Sequence, residues 1–110
     1  MSNSGIEISS ARFSPGELVK HRLFEYRGVV VDVDADFSLS EDWYESVAKS
    51  RPPKDEPWYH ILVHGSEQAT YVAERNLERD TSDVAIDHPL LDEHFGEFRN
   101  GHYVRDRSVN

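Results

Sequence analysis

The run Gly28-Val29-Val30-Val31-Asp32-Val33-Asp34 constrains this chain more than any other segment. Its side chains alternate with period two. Val29, Val31 and Val33 fall on one face, and Val30, Asp32 and Asp34 on the other. β-branched residues at that period predict a half-buried strand. The turn Glu25-Tyr26-Arg27-Gly28 precedes it. Upstream, Ser14-Pro15-Gly16 supplies a preset φ and then a residue free to take positive φ, which predicts a type II turn. A short strand over Glu17 to Leu23 follows from it. Gly16 and Gly28 let a first strand turn a corner without a Cβ clash.

Trp58 to His64 predicts a central strand, because both faces carry large groups: Tyr59, Ile61 and Val63 against Trp58, His60, Leu62 and His64. Gly65-Ser66 reads as a two-residue hairpin turn, returning a strand over Gln68 to Glu74. Residues Glu74 to Arg79 form a short turn leading to Leu77. Between the second and third strands, Ser38 and Glu41 have capping-box spacing and Ser40 is a second N-cap candidate. The helix runs Glu41 to Lys49 with Trp43, Val47 and Tyr44 in its apolar stripe. It stops at Arg51-Pro52-Pro53, where proline cannot continue it. Beyond Asp80 the composition turns polar. Asp87-His88-Pro89 leads a short helix over Leu90 to Phe95, and Asn100-Gly101 favours a tight hairpin between Phe98 and Tyr103.

The expected fold is mainly β: a small, closed, SH3-like barrel with one inserted helix and a C-terminal extension. The expected division is a flexible leader over 1–10, the barrel over 11–80 and the extension over 81–110. At 110 residues one core is the expectation. The chain has no cysteine, which excludes a disulfide scaffold, a thiolate zinc site and a cysteine nucleophile. No apolar run approaches a membrane span and Met1 to Ser10 lacks the pattern of a signal peptide, so a cytoplasmic location is expected. With 12 Lys+Arg against 21 Asp+Glu, the net charge is −9. Acidity of that size opposes broad attraction to nucleic acid.

No Gly-x-Ser-x-Gly elbow and no Gly-rich phosphate loop occur, so the sequence offers no catalytic residues, and no cofactor or metal is expected. Asp32, Asp34 and Asp36 form an acidic row that reads either as a magnesium or acid–base site or as the solvent face of a strand, and an enzyme reading would join Asp32 and Asp34 to His60 in one cleft. His60 and His64 share a strand face but lie roughly 13 Å apart, too far to chelate together. The basic residues Arg22, Arg27, Arg51 and Lys54, with Trp58, Tyr26, Phe24 and Tyr59 nearby in sequence, are candidates for phosphate contact and base stacking, Trp58 or Tyr26 lying beside the base. Trp43 and Tyr44, about 100° apart on the helix, cannot both face one core. One of them is a candidate contact for a partner or a second copy.

The words Phe13 to Phe37 (FSPGELVKHRLFEYRGVVVDVDADF), Trp43-Tyr44, Arg51 to Val63 (RPPKDEPWYHILV), Tyr71 to Asp80 (YVAERNLERD) and His88-Pro89 occur in one order. Together they resemble the YccV-like family, the HspQ-type heat-shock proteins also described as hemimethylated DNA-binding, over about Ala11 to Phe95. The resemblance implies an SH3-like barrel, no catalysis and a cytoplasmic stress-response role. It implies two kinds of partner: hemimethylated DNA, linked to control of the replication initiator DnaA, and the Lon protease with its substrates. It also implies a tendency to homo-oligomers.

Overall fold

A computed structural model describes residues 11–48 and 50–105. The expected leader over 1–10 and the last residues of the tail therefore lie outside the described residues. The fold is mainly β. Strands β1 (Leu18–His21), β2 (Arg27–Asp34), β3 (Trp58–Val63), β4 (Ala69–Ala73) and β5 (Leu77–Arg79) make one antiparallel sheet in the order β4-β3-β2-β1-β5. Helix α1 (Glu41–Val47) lies between β2 and β3. Helix α2 (Leu91–His94) precedes a separate hairpin of β6 (Glu97–Arg99) and β7 (His102–Val104). No helix is long and apolar enough to cross a membrane among the described residues.

The turn at Ser14-Pro15-Gly16 forms as its chemistry dictates: the Glu17 amide donates to the Ser14 carbonyl at 3.0 Å and Gly16 takes φ +100°. The hairpin turn at Asn100-Gly101 likewise places both residues at positive φ, with Phe98 opposite Tyr103. The turn after β3 differs from the two-residue expectation. The Val63 amide donates to the Gln68 carbonyl, enclosing four residues. Ser66 stabilises that longer loop: its hydroxyl donates to the Val63 carbonyl and accepts from the Gln68 amide, both at 3.0 Å.

The alternation in β2 holds only to Val30. There the register against β3 slips: Val30 pairs with Ile61 and Asp32 with His60, so Val31 is a bulged extra residue. A bulge shifts the phase of every side chain after it. Val33 thus crosses from the face expected for it to the inner face with Val30, while Asp32 and Asp34 move to the outer face. Val29 and Val30 are both fully buried, on opposite sides of the sheet.

The inner face holds one core of Phe13, Val19, Val30, Tyr59, Ile61, Val72 and Leu77. Val72 comes from one edge strand and Leu77 from the other, so the sheet curls over on itself. It does not close: among the described residues no ladder joins β4 to β5. A 3-10 turn at Glu74–Asn76 carries the chain between them. The connection between β1 and β2 reaches β4 through side chains, with the Tyr26 hydroxyl 2.8 Å from the Thr70 hydroxyl. On the outer face, Leu18, Val29 and Leu62 are covered by Ile86, Phe95 and Tyr103 of the segment beyond β5. The Tyr103 hydroxyl fastens that cover, accepting from the Ile86 amide at 2.9 Å. Further along the same face, Trp58 and Ala73 are covered by Tyr44 and Ala48.

Candidate functional site

Helix α1 begins at Ser40, whose hydroxyl accepts from the Trp43 amide at 3.1 Å. The other cap candidate, Ser38, is used elsewhere: its hydroxyl donates to Asp34 at 2.6 Å. This cap sets the rotation of the helix. Tyr44 turns inward, is 5% exposed and donates its hydroxyl to the Pro52 carbonyl at 2.6 Å. Trp43 remains half-buried, edge-on to Trp58 and Tyr71 with centroids at 6.1 and 5.6 Å. Of the two aromatic partner-contact candidates, Trp43 keeps surface and Tyr44 does not.

Trp43 forms one wall of a groove of about 570 Å³ that follows edge strand β4. Val47 continues that wall, Trp58, His60 and Tyr71 form the floor, and Leu23 and Phe24 stand at the opposite rim. Leu23 is 58% and Phe24 71% exposed. None of the residues lining the groove is an Asp, Glu, Lys or Arg. An apolar concavity of this size beside an unpaired strand edge suits an extended polypeptide with apolar side chains.

The rim is built by His21. Its Nδ1 accepts from the Leu23 and Phe24 amides at 3.1 and 3.2 Å, and its ring stacks on Phe24 with centroids at 4.7 Å. Burial holds this imidazole below its ordinary pKa. An unprotonated Nδ1 is what two incoming N–H groups require.

A polar cluster interrupts the floor. One oxygen of Asp34 accepts from Ser38, from the Tyr71 hydroxyl at 2.7 Å and lies 3.1 Å from His60 Nε2. Burial alone would raise the Asp34 pKa, but hydrogen bonds from Ser38, Tyr71 and His60 outweigh it and hold the carboxyl below its ordinary value. Burial raises the Tyr71 hydroxyl.

The four basic candidates fall into two groups. Arg51 and Lys54 meet over the Tyr44 ring, at 5.2 and 4.3 Å from its centroid. Arg51 forks onto Glu45 at 2.9 and 3.3 Å, and Lys54 bonds Glu41. Arg22 and Arg27 lie at β1 and β2. Arg22 reaches Glu78 at 3.7 Å and donates to the Leu77 carbonyl. Arg27 is the most enclosed, pairing with Asp80 at 2.6 Å and donating to the Val84 carbonyl. Burial raises Asp80, and hydrogen bonds from Arg27 and Ser82 bring it below its ordinary pKa. Arg27 thereby ties β2 to the segment after β5. Trp58 is 1% exposed and donates its indole N–H to the Pro53 carbonyl at 3.0 Å. Proposed from sequence as a base-stacking candidate, Trp58 lies beneath the groove, stacked on Tyr71 and in an edge contact with Phe37.

Sequence reasoning named Phe24 only as an aromatic near the basic residues, and it missed Leu23 and Tyr71 as site residues. Leu23 and Phe24 carried a signal: two large apolar residues sit inside a turn, between Arg22 and Glu25, where polar residues are the norm. Tyr71 carried none, since alternation along β4 is equally met by any large side chain.

A family model described as hemimethylated DNA-binding protein YccV like matches residues 11–102. That span runs from the first described residue through β6 into β7, past the Phe95 at which the resemblance of sequence words ends.

Proposed function

This chain belongs to the YccV-like family, and from that premise we propose that it is a non-enzymatic cytoplasmic adaptor of the stress response, one that presents polypeptide to the Lon protease. The apolar groove along β4 carries this reading. It is the surface on which an extended client or a segment of the protease would lay apolar side chains, with Leu23, Phe24 and Trp43 as anchors. The four basic candidates each pair with a carboxylate, and the chain carries −9 overall. A surface of that balance recruits protein more readily than duplex phosphate.

The test is degradation of a model substrate by Lon with and without this protein. The reading expects faster degradation, and loss of that gain in Phe24→Ser. An unchanged rate together with no measurable binding to protease or substrate sinks it.

The family description favours a second reading, hemimethylated DNA binding, to which we add a proposed link to control of DnaA. Arg51, Lys54 and Arg22 are the cations to carry it. Their side chains are 58, 39 and 46% exposed, and ion pairs at such positions contribute about 0–1 kcal/mol. Exchanging a carboxylate for a phosphate there costs little. Affinity for a hemimethylated duplex above that for unmethylated and fully methylated ones, falling steeply with salt, supports this reading. Equal affinity for the three removes it. Self-association belongs to the same proposal and is read by sedimentation.

A further inference from the structure

We propose that Asp32, Asp34 and His60 form a binding site for one divalent transition-metal ion of the Zn²⁺ type. Donor atoms of the three side chains lie within 4.8 Å of one another. The bulge at Val31 brings them together: without it Asp32 would stand on the opposite face from His60, which it now faces directly across the ladder.

The carboxylates have capacity to spare. The three hydrogen bonds to Asp34 all converge on Oδ2, and Asp32 uses Oδ1 to accept from the Val33 amide at 2.9 Å. Among the described residues, the second oxygen of each has no hydrogen-bond partner. Among the described residues neither carboxylate pairs with a Lys or Arg, whereas Glu17, Glu41, Glu45, Glu78, Asp80 and Glu97 each do. Two adjacent carboxylates paired, among the described residues, with an imidazole alone leave the cluster short of positive charge.

The chemistry of the donors selects the ion. An imidazole nitrogen with two carboxylates favours Zn²⁺ and its neighbours over Mg²⁺ or Ca²⁺, which prefer oxygen alone. Bonds of about 2.1 Å in a tetrahedral shell set ligand atoms roughly 3.4 Å apart. Asp32 is exposed, so its side chain is not packed in place and has room to move toward the other two ligands. The surroundings already hold the other two ligands: Ser38 and Tyr71 donate to Asp34, and the His60 ring packs on Tyr71 with centroids at 4.6 Å. Outer hydrogen bonds of this kind orient ligands in metal sites. The ion replaces any proton shared between His60 Nε2 and Asp34, and three protein ligands leave a position for water. Because His60 and Tyr71 also line the groove, a bound ion neutralises the two carboxylates beside its floor.

The experiment is calorimetric titration of the EDTA-treated full chain with ZnCl₂, MnCl₂ and MgCl₂ in turn, with thermal melts alongside. One Zn²⁺ per chain is expected, at least about tenfold tighter than Mg²⁺, with a higher Tm at saturating metal. Asp32→Asn and His60→Gln each lower Zn²⁺ affinity at least tenfold. His102→Asn, an exposed histidine on β7, leaves it unchanged. Absence of Zn²⁺ binding, binding undiminished in Asp32→Asn, or Mg²⁺ binding as tight as Zn²⁺ overturns the proposal. Asp32→Asn alone decides the matter if His60→Gln does not fold.

Discussion

The outer face of the sheet has two ends, and they are finished differently. At one end Leu18, Val29 and Leu62 lie under Ile86, Phe95 and Tyr103. Tyr103 there both accepts from and donates to the backbone of Ile86. At the other end Trp58 and Tyr71 are covered by a seven-residue helix that leaves Trp43 half-buried and a groove beside β4. The same alternating strand β3 supplies both ends. The difference lies in the cover. A hairpin and a helix anchored by hydrogen bonds seal one end. A short helix held by one cap and a proline turn leaves the other available. Apolar surface left uncovered beside β4 is what the proposed adaptor reading rests on.

The contrast breaks hardest at the sealed end. Tyr103→Ala removes a buried ring and the Ile86 hydrogen bonds, and should cost about 3–5 kcal/mol in urea unfolding. Tyr103→Phe should cost only about 1–3 kcal/mol, the penalty of the unpartnered Ile86 groups. Equal losses for the two would show that packing contributes nothing there. Next in size is Gly28→Ala. A Cβ at position 28 would stand 2.5 Å from the Ile61 side chain and 2.6 Å from the Leu62 carbonyl. Overpacking of this kind should cost about 1–3 kcal/mol.

At the open end the expected effects are smaller and of another kind. His21 has its pKa lowered in the fold, so the unfolded chain binds more protons as pH drops below 6.5. Stability is therefore complete above that value and declines as pH falls through 6.5 toward the folded pKa. His21→Asn should flatten that part of the profile, measured by Tm from pH 7.5 to 5. Asp34 and Asp80, also held low, add a further loss as pH falls below about 3.8. Phe24→Ser should change stability by less than about 0.5 kcal/mol, because the ring is 71% exposed. A large destabilisation in that variant would mean that the rim is structural and the two ends are alike.

Much of the fold was legible along the chain. Turns built on Pro-Gly and Asn-Gly announce themselves, because only certain residues reach positive φ cheaply. The strands β2 and β3 show in period two, and the cap and proline stop bound α1. The candidate site was legible only in its parts. Trp43, Trp58 and the basic residues stood out by type, yet Trp58 proved to be floor and Arg27 a tie between segments. Nothing local says which of two faces a neighbour will cover. The bulge at Val31 was invisible for the same reason, since a slip of one residue depends on the partner strand.

Composition, turn chemistry and alternation along these 110 residues determined a mainly β chain with one inserted helix and no cysteine chemistry, since those are properties of dihedral preference and side-chain type acting over a few neighbours. The tertiary structure alone decided that Asp32 and Asp34 meet His60, that the sheet stays open between β4 and β5, and that Leu23 and Phe24 stand clear at the mouth of a groove. Each of these is a relation between segments remote along the chain, fixed by register and by competition for the same apolar surface.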